Sequence, residues 1–176
     1  MPSTDHSVTA PVIRPMRAED RPAAIAILAN ADPWQRLGYT TEDWDRIFAP
    51  VPQNRDTYVI ESDARVAGIA ILRRKFLIGD YLELLGIAEW AKGRGLGSRL
   101  LTHIESLVFA RTKNLFACVS EFNQPARQFY ARKGYREIGP IPDLLIAGAT
   151  EILLRKTMGP ARAESMNHQP LTIPGD

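Results

Sequence analysis

The segment Lys92-Gly93-Arg94-Gly95-Leu96-Gly97-Ser98 constrains the fold more than any other part of the chain. It lies between an apolar, strand-like run from Tyr81 to Ile87 and a run in which Leu100, Leu101, Ile104, Leu107 and Val108 recur at helical spacing. Glycine tolerates positive φ and lets a backbone approach a ligand closely. The helix that follows supplies unpaired N–H groups and a positive dipole end. A strand, a glycine turn and a helix in that order make an anion site suited to phosphates. Lys92, Arg94 and Arg99 add positive charge there. The common nucleotide patterns do not fit. A G-x-G-x-x-G motif begun at Gly93 would need glycine at Ser98, one begun at Gly95 would need glycine at Leu100, and no G-K-[ST] is present.

The rest of the chain extends this unit to one α/β domain. A strand is expected at Val12–Met16, then a helix capped by Asp20 and carrying Ile25, Ile27 and Leu28. Asp32-Pro33 ends it, and a short second helix runs from Thr40 or Thr41 through Trp44 to Phe48. Tyr58–Ser62 and Val66–Leu72 flank a short polar turn and read as a hairpin. After the long helix come a buried strand at Leu115–Val119 and a helix capped by Asn123, with Pro125 in its first turn and Gly134 past its end. Strands at Tyr135–Ile138 and Ala149–Lys156 flank a Gly/Pro-rich loop from Gly139 to Gly148. The order βααβββαβαββ mixes hairpins with strand-helix-strand units, which implies a mixed sheet with helices on both faces. Residues 1–10 and 158–176 read as disordered tails around a domain at 11–157.

Composition narrows the function. A net charge of +2 gives no case for nucleic acid, and the Arg73-Arg74-Lys75 cluster reads as solvated surface. The single cysteine, Cys118, cannot form an internal disulfide and reads as core. Three scattered histidines give no metal site. No signal-peptide core or membrane-length apolar run stands in the sequence, so a cytoplasmic protein without a membrane partner is expected.

Two motifs in order resemble the GNAT superfamily of N-acetyltransferases. The first is the family's [QR]-x-x-G-x-[GA] between strand and helix, here Lys92-Gly93-Arg94-Gly95-Leu96-Gly97, with Lys92 in place of Gln or Arg. The second is a loop asparagine, a helix with a tyrosine, then glycine and an aromatic, here Asn123, Tyr130, Gly134 and Tyr135. The resemblance implies acetyl-CoA as cosubstrate and no metal. It implies pyrophosphate on the backbone of Gly93, Arg94, Gly95, Leu96, Gly97 and Ser98 beside Lys92. It also implies pantetheine along Leu85, Gly86 and Ile87, flanked by Asn123, Ala126 and Phe129.

Acetyl transfer to an amine needs a neutral amine, a polarised thioester and a proton for the leaving thiolate. A carboxylate can take the amine's proton. Glu83 matches a position where many family members carry an acid, which makes it the candidate base. Tyr130 matches the family's proton donor to sulfur, and it also reads as a buried aromatic. On the acceptor side, Asp32, Asp43 and Asp143 offer charge, and Trp34 and Tyr39 offer an apolar or cation–π wall. Three functions fit: a transferase for a small-molecule amine, one for a protein α-amine or lysine, and a non-catalytic sensor of acyl-CoA. Family members are often dimers, and the sequence leaves a homodimer open.

Overall fold

The computed structural model describes residues 10–49 and 52–162. The segments expected as tails lie outside the described residues, except for Ala10 and 158–162. Seven strands, β1 (Val12–Pro15), β2 (Arg55–Ser62), β3 (Arg65–Phe76), β4 (Gly79–Ile87), β5 (Asn114–Ser120), β6 (Arg136–Pro142) and β7 (Thr150–Thr157), form one sheet. Its order is β1-β2-β3-β4-β5-β7-β6. Every neighbouring pair is antiparallel except β4 and β5. The helices are α1 (Arg21–Ala29), α2 (Thr41–Ile47), α3 (Leu96–Phe109) and α4 (Gln124–Arg132). The expected α/β mixed sheet and its element order are thus present.

Helices cover both faces for a reason visible on β4. A Cβ on Gly86 would meet Leu28 Cδ2 of α1 at 2.9 Å, whereas Gly97 of α3 faces the Ile87 side chain. Successive strand residues point to opposite faces, so α1 and α3 lie on opposite sides of the sheet. The periodic residues Leu100, Leu101, Ile104 and Val108 of α3 are all fully buried. On the other face α1 packs on β3 and β4. Trp44 of α2 stacks on Tyr39 at 4.9 Å and meets Trp34 edge-on at 5.7 Å.

Four local expectations are corrected. Asp20 stands at the N-cap of α1 but makes no side-chain cap bond to it: its carboxylate takes Arg14 at 2.6 and 2.9 Å and the Arg17 N–H at 2.7 Å. The Arg73-Arg74-Lys75 cluster is exposed at Lys75 as expected, but its two arginines are ion-paired, because β3 runs on to Phe76 and pairs Arg73 with Glu83 and Arg74 with Asp56. Residues 139–142, expected as loop, belong to β6. A strand holding Pro140 and Pro142 is tolerated because β6 is the sheet edge. Cys118 is half-buried and lines a cavity instead of the core.

Candidate functional site

The sheet opens at one place. Parallel pairing of β4 with β5 covers only Asp80, Tyr81 and Leu82 against Leu115, Phe116 and Ala117. The ladder between β3 and β4 slips at the same level: Leu72 pairs with Leu82 and Ile71 with Leu84, which leaves Glu83 as the extra residue of a bulge. Beyond it, Leu85 to Ile87 keep β3 as a neighbour and have none on the β5 side. A cavity of about 570 Å³ runs into this gap. Leu85, Val119, Asn123, Ala126 and Tyr130 line it, as do Trp34, Tyr39, Tyr81, Glu83, Leu144 and Glu151.

The glycine turn stands just past the end of β4. Gly93 and Gly95 both have positive φ, +74° and +75°, and open space where a Cβ would project. Gly95 is the N-cap of α3, and the Arg99 N–H closes onto its carbonyl. The N–H groups of Leu96, Gly97 and Ser98 therefore have no acceptor within the helix. Leu96 is buried and anchors the turn. Of the charges expected here, Lys92 pairs with Glu89, and Arg94 donates to Asp63 at 2.8 Å and to Ser62 Oγ at 3.1 Å. Local partners thus share much of the side-chain charge, and backbone N–H groups and the helix dipole supply the rest of the anion field.

This arrangement gives a prediction. Asp63 and Ala64 form a two-residue hairpin turn with φ of 54° and 56°. Asparagine suits that conformation, so Asp63→Asn should fold normally. It would also release Arg94 and remove a negative charge beside the anion site. We expect inorganic pyrophosphate, as a probe of the turn, to bind about 2–5-fold tighter at low ionic strength, with the gain shrinking in salt. Calorimetric titration at two salt concentrations checks this.

The residues expected at the site fall into three groups. Leu85, Asn123, Ala126 and Tyr130 come together at the gap, and Asn123 also caps α4 by accepting the Ala126 N–H at 3.2 Å. Phe129 lies outside that lining and packs edge-on against Tyr130 at 5.3 Å. Gly86 faces α1, and Ile87 faces α3. Tyr130 is buried, and burial with the nearby Glu105 carboxylate pushes its phenol well above the ordinary range. Burial likewise raises the Cys118 thiol, which disfavours the thiolate a nucleophile needs.

On the acceptor side, Trp34 and Tyr39 line the cavity, while Asp32 is exposed and lies outside the lining. Asp43 caps α2 through Thr40, and Asp143 accepts the Gly148 N–H within its own loop. Both oxygens of Glu83 are engaged: Arg55 donates to one at 2.9 Å and Arg73 to the other at 3.2 Å. Sequence reasoning missed Arg55, Arg73, Tyr81 and Glu151 as lining residues. The one available signal was a carboxylate at Glu151 beside the apolar Ile152-Leu153-Leu154 run. Among the described residues no group of His, Cys, Asp and Glu is placed to hold a metal ion. No helix among them is long and apolar enough to cross a membrane.

Known proteins share this fold and parts of this sequence. The model of the Acetyltransferase (GNAT) family matches residues 16–135. The chain is similar to the 5-NmdU N-acetyltransferase of Pseudomonas phage PaMx11, with 34% identity over 83 residues, 47% of this chain and 58% of that protein. It is similar to the blasticidin-S acetyltransferase of Streptomyces morookaense, with 37% identity over 84 residues, 44% of this chain and 57% of that protein. The chain thus spans less than two thirds of the length of either relative. The ribosomal-protein-S18-alanine N-acetyltransferase from Escherichia coli shares the fold with a TM-score of 0.72 at 17% identity, over 90% of this chain and 99% of that one.

Proposed function

Because the chain belongs to the Acetyltransferase (GNAT) family, we propose that it is an N-acetyltransferase that moves the acetyl group of acetyl-CoA to the primary amine of a small molecule. The parting of β4 from β5 beside a positive-φ glycine turn carries this reading. A phosphate-bearing thioester with a long amide arm fits that pair of features. The turn from Gly93 to Ser98 would hold the pyrophosphate, and the open edge of Leu85, Gly86 and Ile87 would pair with the arm. Asn123 and Ala126, which line the cavity, would flank the arm from the other side, with Phe129 behind them against Tyr130. Acetyl-CoA supplies the thioester carbonyl that the amine attacks. Tyr130 holds a proton next to the gap and gives it to sulfur as charge develops there. A backbone N–H near Ile87 would polarise the carbonyl oxygen, as the family resemblance implies. Direct attack in a ternary complex needs no protein nucleophile, in keeping with the raised Cys118 thiol.

A small-molecule acceptor is supported by the cavity, whose acceptor end has Trp34, Tyr39, Leu144 and Leu145 in its walls. The names of two similar proteins, for 5-NmdU and for blasticidin-S, point the same way. We place the activity in residues 11–157, and a cytoplasmic location goes with the use of acetyl-CoA. The test is calorimetric binding of acetyl-CoA followed by a thiol-release screen over small amines and free-amine peptides. Binding with release for small amines is expected. Release for peptides alone would move the assignment to a protein acceptor, and binding without release to any amine would make the domain an acyl-CoA sensor.

A further inference from the structure

The reading as an acetyltransferase leaves the proton acceptor open, and the geometry points to Glu151 as the carboxylate that receives the acceptor's ammonium group and takes its proton, the acceptor being a primary amine on an apolar or aromatic body. Two carboxylates face the cavity, Glu83 from β4 and Glu151 from β7. Glu83 is already balanced by Arg55 and Arg73. An ammonium beside that triad meets two cations for one anion, so the triad offers it no net attraction.

Glu151 has the opposite surroundings. It is 3% exposed, stands opposite Ser120 in the β5–β7 register, and accepts the Ser120 hydroxyl at 2.6 Å. Among the described residues no Lys, Arg or His forms an ion pair with it. The titratable groups that feel its charge are Tyr39 from the segment before α2, Tyr81 from β4 and Cys118 from β5, none of them a cation; Arg55 and Arg73 line the same cavity, but both pair with Glu83. A buried carboxylate without a cation is unfavourable. Tying β5 to β7 does not account for it, because seven consecutive residue pairs already join those strands. A cationic ligand entering the cavity would supply the missing partner. Burial raises the Glu151 carboxyl above its ordinary 4.5, partly offset by the Ser120 hydrogen bond, which moves it toward the pH at which a base works. The aromatic and aliphatic walls at Trp34, Tyr39, Tyr81 and Leu144 would hold the body of the amine.

The proton count closes. Glu151 takes one proton from R–NH3+ and later returns it to solvent. The neutral nitrogen forms the C–N bond to the acetyl carbon while the C–S bond breaks and its electron pair goes to sulfur. Tyr130 gives sulfur a proton, and the second proton lost by nitrogen restores the phenol.

Wild type, Glu151→Gln and Glu83→Gln are compared as full chains with 2-phenylethylamine as the acceptor probe. Glu151→Gln should lower kcat/KM about 100-fold or more with acetyl-CoA affinity within about threefold. Glu83→Gln should lower it about tenfold or less, by loosening Arg55. With O-benzylhydroxylamine, already neutral at pH 7, Glu151→Gln should lie within about fivefold of wild type. A second readout needs no activity. A carboxyl raised by folding stabilises the fold below its unfolded pKa, and that contribution is lost as pH rises through the folded value. Glu151→Gln should therefore melt about 3 °C above wild type at pH 8 and level with it near pH 4.5. A variant less stable than wild type at both pH values, equal losses with both amines, or a larger loss in Glu83→Gln would overturn the assignment. Acetyl-CoA binding without turnover of 2-phenylethylamine would overturn the acceptor class. Absence of acetyl-CoA binding would instead defeat the transferase reading.

Discussion

Replacing Tyr130 with phenylalanine should lower turnover about 100- to 1,000-fold and leave acetyl-CoA affinity within about threefold. The change removes one oxygen from a ring that is 7% exposed and meets Phe129 at 5.3 Å and Tyr135 at 5.1 Å, both edge-on. The ring contacts survive, so helix α4 should keep its place and the melting temperature should shift by no more than about 2–4 °C. What disappears is the donor beside the gap between β4 and β5. Burial and Glu105 raise this phenol, so it keeps its proton throughout the neutral range, as the proposed donor to sulfur must. The pH profile of the wild type should show no basic limb from Tyr130 below about pH 10. Single-turnover kinetics with calorimetric affinity separates the outcomes. Turnover within a few-fold of wild type would reduce Tyr130 to a packing residue.

What the sequence made legible was local. The glycine turn, the Asn123 cap and the 3.6-residue period of α3 are each encoded within a few adjacent positions, and each appears in the structure. The misses at the cavity have one physical origin, partners brought together from distant positions. Arg55 reaches Glu83 across 28 residues, and Ser120 reaches Glu151 across 31. Nothing in the string announces that one glutamate will be neutralised while the other is buried without a cation. The bulge at Glu83 is equally silent, because it exists only in the register of β4 against β3. Gly139, Pro140 and Pro142 read as loop because proline removes a ladder donor. Their place at an open sheet edge depends on the order of all seven strands.

The second large effect is expected at the glycine turn. The double substitution Gly93→Ala with Gly95→Ala should weaken acetyl-CoA binding about 30-fold or more. Neither added methyl meets a protein atom within 4 Å, so the effect is not a clash within the protein. It comes from φ values of +74° and +75°, which cost an alanine about 1–2 kcal/mol each. Two responses are open to the chain. If the turn keeps its shape, the strain lowers stability and the methyls project into the open space beside the turn. If the turn relaxes to negative φ, the N–H groups ahead of Leu96 swing away from the helix end and the anion site loses its convergent donors. Both weaken phosphate binding, and melting temperature distinguishes them: a fall of about 5 °C marks a retained turn and an unchanged value a relaxed one. Gly97→Ala is the control within the same motif. Gly97 lies inside α3 without positive φ, and an added Cβ would touch Ile87 Cγ1 at an ordinary 3.4 Å. It should fold as well as wild type and bind with a smaller loss than the double variant. An unchanged affinity in the double variant would remove the turn from the cosubstrate site and leave the parted strands as the sole structural support for it.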